Sequence, residues 1–423
     1  MSRTRIAATL ALTLSLSFSL SACSKPASDG GRKVEFWTMA LKPTFTGYLE
    51  GVIADFEQQN PGVKVEWVDV PGNAIEDKTL SSVSGGTPPD LVNLNPDFAQ
   101  RLASKGALLD LSKQVPKDVQ RSYFPYAIDA STVDGKLIGL PWYLSTQVAI
   151  YNKDLLAKAG LKTLPGTYRA LAEQAPAFKA AGALPFIPNL GDGNRILELF
   201  ALDGVPLLSA DKKHAAFDTP EGRDTFAFWT GLFTRGTLPK EALSLDNREI
   251  VDRFQSGQSA VLPAGPQFLK QVRENAPQLY EKVDVAPQLA GKSGKVGVGV
   301  MNLVVPTTSR NQEDAIALAT HVTNAANQLA FCKLAAILPS SREAADDPFF
   351  TPLGATASVE DRARKIAAEQ LKRAELLVPP MPHQSELKKA MNDALQRAAL
   401  GQLGSDEALK QAAAEWDRIL ATP

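Results

Sequence analysis

The chain has 423 residues, 44% of them hydrophobic, with 45 Lys and Arg against 46 Asp and Glu. Its length exceeds what a single core usually serves, so two lobes are expected. The formal net charge of −1 offers no general attraction for nucleic acid, and no nucleic-acid partner is expected.

At the amino terminus Arg3 and Arg5 precede a mostly apolar run over residues 6–20, broken only by Ser and Thr. The run is short for a bilayer span and reads as an export signal. Leu20, Ser21, Ala22 and Cys23 then resemble the bacterial lipobox, in which the signal is cut before the Cys and lipid is attached to its sulfur and to the new amino terminus. Residues 1–22 are therefore expected to be a lipoprotein signal peptide, Cys23 the lipid attachment site, and residues 23–32, rich in Ser, Gly and Ala, a flexible tether. Several acyl chains hold a protein to a membrane far better than one. Cys332 stands alone in the apolar run LAFCKLAAIL and reads as a buried small hydrophobe, so no intrachain disulfide is expected.

Past the tether, VEFWTM (34–39) reads as a strand, and Tyr48, Leu49, Val52, Ile53 and Phe56 share one face of a helix that the turn Asn60, Pro61, Gly62 stops. VKVEW then alternates Val63, Val65 and Trp67 as a half-buried strand, so residues 34–70 form a β-α-β unit with a parallel crossover. A helix over 74–84 leads through GGTPPD to the strand LVNL (91–94) of the same sheet. Ligands of open α/β sheets bind outside the carboxyl ends of the strands, which directs attention to Trp37 and Thr38, Pro71 and Gly72, and Asn95 to Asp97.

The stretch DGKLIGLPWYLSTQVAIYNKDLLAKAGL (134–161) reads as a hairpin at Gly135, a strand over 137–140, a second strand TQVAIYN, and a helix capped by Asn152. Here the chain resembles the maltose-binding-like solute-binding proteins (family 1) of sugar-importing ABC transporters, whose usual run is a DG-K hairpin ending G-L-P, a strand ending Y-N-K-D, a helix and an A-G-L turn. The resemblance extends to the FW strand, the helix end DFEQQNPGVKV, the GTPPD turn, FQSGQSAVLPAGP (254–266) and AAILPSSREA (335–344). It implies an α/β, two-lobe fold of the periplasmic-binding-protein type II, with mixed sheets, flanking helices and an interlobe cleft. The expected crossings lie near residues 142–147 and 301–306, giving lobe 1 as 33–142 and 303–347 and lobe 2 as 143–302 and 348–423. A helix over 311–331 falls to lobe 1, and helices over 359–377, 385–399 and 405–420 to lobe 2.

A closing cleft suits sugar binding, because a pyranose has a C–H face that lies on an aromatic ring and a rim of hydroxyls that must be paired once buried. Candidates follow from that chemistry. Trp37 is a stacking platform or core; Trp142 and Tyr143 follow a Pro in the crossing segment as a cleft wall. Trp67, Trp229 and Trp416 read as core. Asn95 and Asp97 bind the ligand or cap the loop. Ser145 and Gln147 stand where relatives place contacts, although Ser145 and Thr146 replace the Asp of some members. In the loop NLGDGNR, Asp192, Asn194 and Arg195 reach the cleft or cap the next helix, with Asn194 preferred. Gly265 and Gln267 occupy the family's G-P-W-type turn without its Trp; Asn302 lies near the return crossing; Arg342 matches a position that approaches the ligand, and its fork suits two hydroxyls or an anion.

Enzyme signatures are weak: Gly291, Lys292 and Ser293 lack the first glycine of a phosphate loop, Gly297 and Gly299 lack the third of a dinucleotide fingerprint, and His214, His321 and His383 are scattered. No G-x-S-x-G elbow occurs. A glycoside hydrolase with two carboxylates that meet only in space is the rival from another class. The expected function is a monomeric, lipid-anchored, extracytoplasmic receptor, in the periplasm or on the cell surface, that passes a small carbohydrate to membrane permease subunits. No cofactor or metal is expected. Within the same family the alternative ligands are glycerol 3-phosphate, a glycerophosphodiester or a polyol.

Overall fold

The structure, a computed structural model, describes residues 32–422 except 73, 192, 352, 353, 355 and 356. The expected signal peptide, Cys23, the expected tether up to residue 31 and Asp192 lie outside the described residues.

The first strands follow the expected β-α-β path. β1 (Arg32–Met39) leads through the helix Thr46–Gln59 to β2 (Val63–Val70), and β3 (Leu91–Leu94) joins on the other side of β1, both pairings parallel. β1 is flanked by strands on both sides and covered on both faces, so its apolar residues run consecutively instead of alternating. Val34 and Phe36 enter the main core, whereas Trp37 enters a second cluster with Val70, Ile75, Val92, Leu94 and Phe98.

A small hairpin of β4 (Thr132–Val133) and β5 (Lys136–Leu137) precedes β6 (Leu140–Thr146), and β7 (Val148–Asn152) begins two residues after β6 ends. That short step changes sheets: β6 belongs with β1, β2 and β3, while β7 lies between two strands of a separate sheet. β8 (Leu184–Phe186), β9 (Ser259–Ala264) and β10 (Val283–Pro287) complete this second sheet in the order β10-β7-β9-β8. As expected, Asn152 Oδ1 caps the next helix, accepting from the backbone N–H groups of Asp154 and Leu155 at 2.9 and 3.2 Å.

β11 (Val296–Val304), β12 (Leu338–Pro339) and β13 (Ala374–Glu375) all join the first sheet, whose order is β12-β6-β11-β3-β1-β2 with β13 on β11. By sheet membership the chain therefore returns between Pro287 and Val296, ahead of β11, and not after it near residues 301–306 as the sequence suggested. The pattern GVGV gave no hint of which sheet it pairs with, because pairing partners are distant in sequence. The helix expected over 311–331 is two helices, Gln312–Val322 and Ala325–Ala335, separated where Asn324 caps the second by accepting from Asn327 N at 2.8 Å. The helix expected over 359–377 ends at Leu371, because the following residues extend to pair with β11. Helices Gln384–Ala399 and Ser405–Leu420 pack on each other and on the helix Pro220–Thr234 beside the second sheet.

Cys332 is fully buried as expected, and burial pushes its thiol well above the ordinary range. Trp229 and Trp416 are core, but Trp67 is only half-buried, with Lys42 Nζ 4.2 Å from its ring centre.

Candidate functional site

A cavity of about 370 Å³ lies between the two sheets, at the step from β6 to β7. From the first sheet come Asn95, Asp97 and Gln100 beyond the carboxyl end of β3, with Ser145 at the end of β6 and Gly297 and Gly299 of β11. From the second come Asn189 past β8, Asn194, Arg195 and Glu198 of the helix Asn194–Leu202, and Gly265, Gln267 and Phe268 past β9. Leu376, Leu377, Val378 and Pro380, of an apolar strap after β13, and Gln384 complete the wall.

Several local features shape this lining. Gly299 pairs with Ser145, and a Cβ there would lie 2.9 Å from Ser145 Oγ, so glycine leaves that hydroxyl its space. Gly193, at φ 71°, starts the helix Asn194–Leu202; a Cβ would lie 2.8 Å from the Lys388 carbonyl oxygen, so both conformation and contact require glycine. The Asn95 side chain is engaged as a cap, its Oδ1 accepting from Phe98 N at 2.8 Å and its Nδ2 donating to Glu76 at 3.0 Å.

The cavity floor carries a buried charged cluster. Arg195, 9% exposed, donates to Glu198 at 2.7 Å, to Gln147 Oε1 at 3.1 Å and to Tyr168 Oη at 2.5 Å. Desolvation pulls the guanidinium's pKa down, but Tyr168 and Glu198 more than offset it and hold the Arg195 pKa above its usual value. Burial likewise raises the Tyr168 phenol, keeping it neutral. Across the cavity, Asp97 accepts from Gln384 Nε2 at 2.9 Å and from Lys388 Nζ. Each ionised side chain described at the cavity is thus matched by an opposite charge. Nine of the lining residues are Asn or Gln, which offer donor and acceptor on one planar group.

Seven of the thirteen residues singled out from sequence line this cavity: Asn95, Asp97, Ser145, Gln147, Asn194, Gly265 and Gln267. The other six lie elsewhere. Trp37 is 5% exposed in the second core cluster, under a helix whose Lys78 Nζ sits 4.2 Å from its ring centre. Thr38 is buried, donating to Asp69 and accepting from Trp67 Nε1, each at 2.7 Å. Trp142 is fully buried, stacked on Phe331 with ring centres 5.2 Å apart, and Tyr143 packs edge-on against the same ring. The expected cleft wall is thus part of β6, because a strand runs from Leu140 to Thr146 where the sequence suggested a crossing segment between two strands. Asn302 is fully buried, its Oδ1 accepting from Ser131 at 2.5 Å. Arg342 is exposed on the short helix Arg342–Ala345 and does not line the cavity.

Sequence reasoning missed Gln100, Asn189, Glu198, Asn247, Gln288, Gln384 and the strap. Only the strap left a signal, since Pro379, Pro380 and Pro382 cannot continue the helix before them.

Two mixed sheets joined by short crossings, with a polar cavity between them, define a type II periplasmic-binding-protein fold. The chain belongs to the bacterial extracellular solute-binding protein family, whose profile matches residues 42–329. It is 27% identical to the galactooligosaccharide-binding protein of Bacillus subtilis (strain 168), over 95% of this chain and 94% of that one. A crystal structure of a periplasmic-binding protein from Synechococcus sp. MITs9220, provisionally assigned to oligosaccharides, is 35% identical and superposes with a TM-score of 0.82, covering 92% of this chain and 99% of that one. The GacH receptor of Streptomyces glaucescens GLA.O, solved unliganded and with acarbose, shares the fold at 22% identity and a TM-score of 0.77, covering 93% and 99% of the two chains.

Proposed function

We propose that this chain is the substrate-binding component of an ABC importer, capturing a small carbohydrate in the cavity between its two sheets and delivering it intact to a membrane permease. The observation that carries the reading is the lining itself: nine amide side chains around a charge-balanced floor. Amides pair hydroxyls in either sense, and buried hydroxyls must be paired. The relatives' sugar ligands support the same reading. Closure of the two halves on the ligand completes those pairs and creates the form that a permease distinguishes. The lipobox-like run ending at Cys23 supports anchoring to the outer side of a membrane. ATP hydrolysis belongs to the partner; this chain binds.

A calorimetric and thermal-shift screen of neutral saccharides, with chromatography of each mixture afterwards, tests this. Saturable binding with the saccharide recovered unchanged supports a receptor. Cleaved products would make the chain a hydrolase, and no binding across the panel would remove carbohydrate as its ligand.

A further inference from the structure

Aromatic surface is nearly missing from the cavity. None of the five tryptophans lines it. Tyr168 does, but it is 4% exposed and its ring is held edge-on against Phe186 and Trp229, with centres 5.3 Å from each. That leaves Phe268, partly exposed at the start of the helix Phe268–Asn275, as the one ring with free surface among the described lining residues. The remaining apolar wall is aliphatic: Leu376, Leu377, Val378 and Pro380 of the strap. Gly297 sits against the strap, since a Cβ there would lie 2.6 Å from Leu377 Cδ1.

An extended oligosaccharide presents one C–H face per unit and needs apolar surface for each. One ring and one strap serve one or two units. The cavity volume, about 370 Å³, is likewise near the small end of ligand sites. Gln384, in the cavity wall, is 7% exposed; its Nε2 donates to Asp97, while its Oε1 is enclosed without a partner. A hydroxyl donor satisfies that oxygen once the amide turns toward the cavity; an anion does not.

We propose that the cleft selects a compact, uncharged polyhydroxylated ligand of one or two sugar units, packing its C–H surface on the strap and Phe268 and donating a hydroxyl to Gln384 Oε1. The proposal rests on the carbohydrate reading above and narrows it.

The test is calorimetry of the folded protein against a ladder of mono- to tetrasaccharides and glycosyl polyols, repeated on Leu376→Asn, Leu376→Met and Gln384→Met. Affinity should peak by the second unit, with a third changing it by less than about threefold. Leu376→Asn and Gln384→Met should each weaken binding about tenfold at an unchanged melting temperature, and Leu376→Met should keep it. Affinity that climbs about tenfold with each unit through the tetrasaccharide would overturn the size limit while leaving the carbohydrate reading in place. Unaltered affinity in folded Leu376→Asn and Gln384→Met would overturn the roles of strap and amide. No binding anywhere on the ladder would instead remove the carbohydrate reading beneath.

Discussion

Lys388 donates to the carboxylate of Asp97, joining the helix that follows β3 of the first sheet to a helix packed beside the second. The contact closes one side of the cavity, and Gln100 Nε2 reinforces it by donating to the Met381 carbonyl at 2.6 Å. Lys388 is 12% exposed there and Asp97 38%, so the pair is only partly removed from water.

Loss of this pair should favour separation of the two halves. Lys388→Ala is expected to weaken ligand binding by about 0.5–1 kcal/mol, or two- to fivefold, in keeping with a partly exposed ion pair. Raising the salt concentration should shrink the difference between the two proteins. Calorimetric titrations at low and high salt check both statements.

Trp142 supports the core of the first half, not the ligand. Trp142→Ala should cost about 3–5 kcal/mol of stability, because the cavity it leaves lies among Phe36, Tyr143 and Phe331. Affinity of the molecules that remain folded should stay within about twofold of the parent. Denaturant melts and titrations below the unfolding transition separate these effects; weakened binding at full stability would return Trp142 to the site.

The contrast between Trp142 and Asn95 shows what the sequence makes legible. Periodicity reveals β1, the helix Thr46–Gln59 and β2, and the rule that ligands sit beyond strand ends then finds Asn95 and Asp97. Trp142 depends on something nonlocal: β6 pairs with β11 through a register shift, Met301 opposite Tyr143 and Asn302 opposite Pro141, so its position follows from a strand far along the chain. The same holds for the strap, whose course is set by β13 adding to β11 at Val296 and Gly297. Asn302 and Arg342 failed for the opposite reason: chemistry that suits a ligand serves Ser131 in one case and solvent in the other.

Selectivity against anions follows from the matched charges. Arg195 already serves Glu198, and Lys388 serves Asp97, so a phosphate dianion would meet no uncommitted cation among the described lining residues. Glycerol 3-phosphate should bind at least about tenfold more weakly than the best neutral ligand. Competition calorimetry decides; equal affinity would mean that Arg195 changes partners on binding.

His321 gives the fold an acid-sensitive point. Partial burial lowers its pKa, more strongly than its hydrogen bond with Val52 and the charge of Asp55 raise it. The unfolded chain therefore takes up the proton first, and stability rises with pH in this range. The His321 contribution should be complete above about pH 6.5 and fade as pH falls through the folded-state value. Melting temperatures of the parent and His321→Gln between pH 5 and 8 check the sign: the variant should show the shallower dependence.

The central claim is a cleft that closes on a neutral saccharide. Small-angle X-ray scattering of the protein, alone and saturated with the tightest ligand from the calorimetric screen, tests it most directly. The account predicts a smaller radius of gyration in the saturated sample. Superimposable curves at confirmed saturation would contradict it.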